Sequence, residues 1–107
     1  MVNSRQKGVR AEREFANLLK QHGFDARRGQ QYSGIEGEDV VGLPGFHIEV
    51  KRRENVSLED SIKQARAEAK DIDPDKDKIP IVAHRKNRGR WRVTMDAEDW
   101  IKLIKEG

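Results

Sequence analysis

Six consecutive residues, Phe46-His47-Ile48-Glu49-Val50-Lys51, alternate without exception between apolar and polar side chains. A period of two belongs to a β-strand, so Phe46, Ile48 and Val50 face one way, into a core, while His47, Glu49 and Lys51 face the other. That core is thin. Of 107 residues 35% are hydrophobic and 38% charged, enough for one domain spanning residues 1–107 because the apolar residues recur periodically. Domains of this size often gain stability by pairing, which makes a homodimer the expectation.

The apolar pattern predicts the other elements. A helix over residues 4–22 carries the stripe Ala11, Phe15, Leu18 and Leu19, with Gly23 as its terminator. A strand over 24–28 follows, then a polar, glycine-punctuated loop over 29–37. Residues 39–42 and 46–52 read as a hairpin around Leu43-Pro44-Gly45. Ser57 opens a second helix, with Asp60 three residues on as a capping-box variant and a stripe of Leu58, Ile62, Ala65, Ala69 and Ile72 ending near Pro74. After a charged loop, residues 79–84 and 91–94 form strands joined by a basic turn. Asp96 caps a last helix to Lys105 that is expected to bury Trp100, Ile101 and Ile104. The order α-β-β-β-α-β-β-α implies an α/β domain, a central mixed β-sheet flanked by helices.

Several chemistries are excluded. Without cysteine there are no disulfides, no thiol catalysis and no thiolate zinc sites, and His47-x-Glu49 cannot belong to a zinc deaminase. No glycine-rich loop with Gly-Lys-Ser/Thr occurs, and the three scattered histidines make no metal cluster. No apolar run approaches the roughly 18 residues of a membrane span, and no signal-peptide core opens the chain, so the expected location is cytoplasmic, away from membranes.

The formal charge of +3 matters less than its distribution. Basic residues gather at Arg5, Lys7, Arg10 and Arg13, at Arg27 and Arg28, at Lys51, Arg52 and Arg53, and at Arg85, Lys86, Arg88, Arg90 and Arg92. Acids concentrate between residues 54 and 77 and between 96 and 106. A phosphate-binding face opposite an acidic one accounts for this, the alternative being solvated charge on a small domain.

A Glu-x-Lys pair on a strand is commonly a solvated ion pair. Asp39 changes the reading of Glu49 and Lys51, because it begins the preceding strand. A hairpin in which paired residue numbers total 88 sets Asp39 across from Glu49, with Cβ atoms roughly 5 Å apart. A two-residue type II turn at Pro44-Gly45 gives a total of 89 and sends Asp39 to the wrong face unless a bulge corrects it. Both registers are compatible with the residues. Facing carboxylates repel, and a divalent cation removes the repulsion; oxygen ligands with open water positions suit Mg²⁺ or Mn²⁺. Glu12 lies beside the inward stripe of the first helix, where it either pairs with a neighbouring base or points into the metal cleft.

Lys7-Gly8-x-x-Ala11-Glu12-Arg13-Glu14, His22-Gly23-Phe24, Ser33-Gly34, Asp39-Val40-Val41 and Ile48-Glu49-Val50-Lys51 occur in this order, followed by Ile79-Pro80-Ile81-Val82-Ala83 and Trp91-Arg92-Val93. Together they resemble the archaeal-type Holliday junction resolvases and their phage relatives, within the PD-(D/E)xK nuclease superfamily. Glu38 stands where the superfamily's namesake has proline. The resemblance implies a restriction-endonuclease-like fold and a Mg²⁺-dependent endonuclease, Mn²⁺ substituting, that cuts four-way DNA junctions as a homodimer. It implies Glu12, Asp39, Glu49 and Lys51 as the catalytic centre, with Ser33 assisting from its loop. The metal set that the resemblance implies is Asp39, Glu49, Val50 and Glu12. Arg13 matches a phosphate-engaging position, and Lys7, Arg10, Arg27, Arg28, Arg52, Arg53, Arg85, Lys86, Arg88 and Arg90 complete the expected DNA contacts. The rival readings are a general nuclease without junction preference and a non-catalytic DNA-binding module of the same fold.

Overall fold

Gly23 ends the first helix in the left-handed region (φ 96°), which glycine occupies without steric cost. The N–H groups of Gly23 and Phe24 donate to the carbonyls of Lys20 and Leu19 at 3.0 and 3.1 Å, closing the last turn as a Schellman motif. The computed structural model describes residues 4–29, 39–55, 57–72 and 78–107. Its elements are α1 (Ser4–Gln21), β1 (Arg27–Arg28), β2 (Val40–Val41), β3 (Phe46–Arg52), α2 (Leu58–Ile72), β4 (Ile79–Arg85), β5 (Arg92–Thr94) and α3 (Ala97–Glu106). This is the expected order. β1 is shorter than the expected strand over 24–28 because its partner β2 offers only Val40 and Val41 to pair with.

The five strands lie in the order β1-β2-β3-β4-β5. Only β3 and β4 run parallel, and α2 makes the crossover between them; the other neighbours are antiparallel. One face is covered by α1, whose Ala11, Phe15 and Ala16 pack with Val40, Ile48, Val50, Ile81 and Ala83. On the other face Ile62 and Ala65 of α2 pack with Val82. Both rows of β3 are therefore covered, and its polar row lies beneath α2 rather than in open solvent. Ser57 caps α2 as expected, its Oγ accepting from the Asp60 N–H at 3.2 Å.

The hairpin combines features of both registers. Gly45 sits at φ 85° and the Phe46 N–H donates to the Leu43 carbonyl at 3.2 Å, the type II turn that Pro44-Gly45 favours. Yet Val40 pairs with Ile48, a total of 88. Gly42, at φ 109°, takes up the one-residue offset between turn and ladder. It is also pressed against the chain before β1, where an added Cβ would lie 2.2 Å from the Asp25 carbonyl oxygen. Glycine is required there on both counts.

The expectation for α3 is corrected. Trp100, Ile101 and Ile104 are 54%, 48% and 57% exposed, and the helix buries no residue. Its apolar stripe is real, but α1 and α2 already occupy the two faces of the sheet. Asp96 is the N-cap by position but makes no side-chain cap; its carboxylate instead takes a 2.6 Å bond from Arg66 of α2. Leu58, at the start of the α2 stripe, is likewise exposed. No helix among the described residues is long and apolar enough to cross a membrane.

Candidate active site

The ladder register brings the acidic residues together. Val40 pairs with Ile48, and just before that pair the Asp39 N–H donates to the Ile48 carbonyl at 2.9 Å. The Val50 N–H returns a 2.7 Å bond to Asp39 Oδ2, orienting the carboxylate toward the strand that carries Glu49 and Lys51. Glu12 arrives from α1 across the same opening. The cleft they share has a volume of about 510 Å³ and is lined by Glu12, Asp39, Glu49, Val50 and Lys51, with Glu68 and Gln64 from α2 on the far side.

Burial dominates the electrostatics. Glu49 is 3% exposed, and its carboxyl is pushed up to about 9, first by burial and then by Asp39 and Glu68, with a bond to His47 working the other way. Glu12 is raised too, by burial and by Asp39, while Arg28 and Lys51 oppose the rise. Burial would also raise Glu68, but bonds from Glu49 and Gln64 and the charges of His47 and Lys51 hold it below its ordinary value. Burial and the neighbouring carboxylates thus favour the protonated form of Glu49. The donor set fits a divalent cation: oxygen ligands converge from two strands and a helix, and they repel one another unless a proton or a cation intervenes.

Residues 3–106 match the protein family described as "Phage putative PDDEXK endonuclease". This chain belongs to that endonuclease family. Among solved structures the chain is similar to Hjc of Archaeoglobus fulgidus, a Holliday junction resolvase from an archaeal hyperthermophile, determined at 1.6 Å. The two are 27% identical, with a TM-score of 0.54 over 83% of this chain and 72% of that one. No curated protein matches the chain. PDDEXK nucleases usually use divalent metal ions, which agrees with the chemistry of the cleft.

Within this PDDEXK endonuclease, the predicted basic residues fall into groups. Lys7, Arg52 and Arg53 line the acidic cleft itself. Arg53 and Glu54 are shared with a second cleft of about 380 Å³, lined by Arg85 at the end of β4 and by Lys86 and Arg90 from the turn that follows it, so the two run together. Arg10 and Arg13 lie on another face of α1, beside Trp91. Arg27 and Arg88 are exposed. Arg28 bonds Glu12 at 3.2 Å, so Glu12 both enters the cleft and pairs with a neighbouring base. Ser33 lies outside the described residues. Bases and acids line the same cleft.

Three residues of this nuclease escape sequence reasoning. His47 is 1% exposed, with Nε2 3.0 Å from Glu49 Oε1 and 3.7 Å from Glu68 Oε2. His47, Glu49 and Glu68 lie close enough together to hold a metal ion, a grouping outside the predicted site residues apart from Glu49. Glu68 sits between Ala65 and Ala69 of the α2 stripe, the same position beside an apolar row that singles out Glu12. Glu14 is the third. Burial would raise its carboxyl, but Arg85, Trp91 and Arg52 hold it below the ordinary range. Arg85 Nε lies 2.6 Å from Glu14 Oε1, and its guanidinium sits 5.7 Å from the centre of the Trp91 ring, which tilts against Phe15. Arg85 is therefore largely committed inside the fold, beside the partly buried Trp91.

Proposed function

We propose that this chain is a structure-specific DNA endonuclease that hydrolyses phosphodiester bonds at four-way junctions, acting as a homodimer with Mg²⁺ at Asp39, Glu49, Val50 and Glu12. The observation that carries the reading is the meeting of Asp39, Glu49 and Lys51 in one cleft, with the Asp39 carboxylate bonded by the Val50 N–H between the other two. Likeness to a Holliday junction resolvase supports the substrate, and Mg²⁺ follows from an oxygen-rich donor set.

When bound, the cation supplies positive charge to the scissile phosphate and activates the attacking water. The protein's share is positioning. The Val50 N–H orients Asp39, and Lys51 directs the water or offsets charge developing on the phosphate. Glu12, steadied by Arg28, closes the acidic side of the cleft. Lys7, Arg52, Arg53, Lys86 and Arg90 follow the joined clefts and hold the sugar-phosphate backbone, a binding mode that weakens as salt rises. Arg10, Arg13, Arg27 and Arg88 extend that contact to neighbouring arms.

The homodimer reading rests on the exposed stripe of α3. Two copies of α3 packed antiparallel about a two-fold axis would cover Trp100, Ile101 and Ile104, and would bring Glu98 and Asp99 of one copy near Lys102 and Lys105 of the other.

The deciding experiment compares cleavage of an immobile four-way junction with linear duplex and single-stranded DNA in Mg²⁺. Preferential, paired cuts in the junction are expected. Equal rates on all three would reject junction specificity, and binding without any cutting would reject the enzyme.

A further inference from the structure

We propose that His47, Glu49 and Glu68 form a second cation site, suited to Mn²⁺ or a similar transition-metal ion rather than Mg²⁺, beside the site at Asp39. The proposal deepens the nuclease reading and rests on it through the shared Glu49.

The alternation of β3 sets His47 and Glu49 on one face, two residues apart, and α2 lowers Glu68 onto them. One donor atom from each lies within 4.8 Å of the other two. The Nε2 of His47 stands 3.0 Å from Glu49 Oε1 and 3.7 Å from Glu68 Oε2. Bonds of about 2.1 Å to a single ion separate neighbouring ligand atoms by roughly 3.0–3.4 Å, so these spacings need little adjustment.

Two carboxyl groups converge on one imidazole nitrogen, and Glu49 and Glu68 also bond each other. The second is held in place from behind, since Gln64 Nε2 donates to Glu68 Oε1 at 3.0 Å and leaves Oε2 toward His47. The imidazole is buried to 1%, and Asp39 adds a third carboxylate to the neighbourhood. Ionised together, acidic groups this close under a helix repel one another, and an ion at His47 Nε2 would remove that repulsion without a protonated imidazole. The Glu68 side chain keeps 34% exposure at the cleft, which provides the entry route.

The nitrogen ligand determines the selectivity. Mg²⁺ keeps an oxygen shell, whereas imidazole suits Mn²⁺, Zn²⁺ and their neighbours. With Glu49 common to both sites, occupancy of one would bear on the other, as in two-metal centres that clamp the attacking and leaving oxygens of a phosphodiester.

The test titrates Mn²⁺ into the full chain, with electron paramagnetic resonance reading stoichiometry and ligand nuclei. Wild type should bind two Mn²⁺ per chain, one of them showing imidazole-nitrogen coupling. Glu68→Gln should lose one ion or weaken it at least tenfold, and His47→Asn should lose the nitrogen coupling while Mg²⁺ still binds at Asp39. Asp39→Asn should keep the nitrogen-coupled ion. Wild type binding a single Mn²⁺ with no nitrogen coupling would overturn the site, as would Glu68→Gln retaining two ions at unchanged affinity. Should His47→Asn fail to fold, the wild-type spectrum and Glu68→Gln still decide. Active cutting with one uncoupled ion would sink this site alone; two bound ions without cutting would sink the nuclease reading alone.

Discussion

The peptide N–H of Val50 donates to Oδ2 of Asp39 at 2.7 Å, so the residue between Glu49 and Lys51 holds the carboxylate that faces them. Backbone and side chain are locked in one motif, and the register of the hairpin becomes a property of the site.

Asp39→Asn should abolish cutting, by more than about 100-fold, while leaving junction binding within a fewfold of wild type. The Asn carbonyl can still accept from Val50, so the hairpin survives and only the ligand charge is lost. Single-turnover cleavage and gel-shift assays measure the two effects. Full activity in Asp39→Asn would remove this residue from the centre.

Gly42→Ala should destabilise the domain by roughly 2–4 kcal/mol, from a left-handed backbone and a clash with the Asp25 carbonyl. Any protein that folds should lose metal binding along with stability, because a slipped hairpin turns Asp39 from Glu49. Urea denaturation beside a metal titration checks both. Gly45→Ala, with open space around its Cβ position, should cost less and spare metal affinity.

Stability without metal should fall as the pH rises from 4.5 to about 9, because native Glu49 holds its proton far more tightly than the unfolded chain does. The raised carboxyl makes protonation the stabilising state: the contribution is fully present below 4.5 and lost as the pH passes through the folded value. The groups facing Glu49 are His47 on the same strand, Asp39 on the hairpin and Glu68 on α2. Glu49→Gln should flatten this slope in thermal melts with chelator present. Divalent metal should release close to one proton near pH 7 in wild type, and calorimetry in buffers of different ionisation enthalpy counts it.

Trp100→Glu combined with Ile104→Lys should halve the mass seen by analytical ultracentrifugation without lowering the melting temperature of the monomer appreciably. Both residues are more than half exposed, so polar replacements there change monomer stability by only about 0.5 kcal/mol. A wild type that is monomeric at high micromolar concentration would contradict the dimer.

The local code of the chain carried much of this. Periodicity located three helices and the strand Phe46–Arg52, Gly23 and Ser57 marked their ends, and the same alternation set Glu49 and Lys51 on one face. These signals are legible because each depends on neighbours within a turn or a strand. The α3 stripe was legible too, but not its exposure, since whether an apolar face is covered depends on which faces other elements have already taken.

The site itself lay partly beyond such reading. Glu49 and Lys51 can be picked out from spacing, and Asp39 only conditionally, because Pro44-Gly45 permits a turn whose offset is corrected by Gly42 bearing on Asp25, a residue seventeen positions earlier. Likewise nothing local to Glu68 announces that α2 will set it against His47. Sequence by itself determined the elements, their faces and the family pattern of Glu12, Asp39, Glu49 and Lys51. Only the tertiary structure decided the register and the convergence of His47, Glu49 and Glu68, because both follow from chain segments distant in sequence sharing one crowded space.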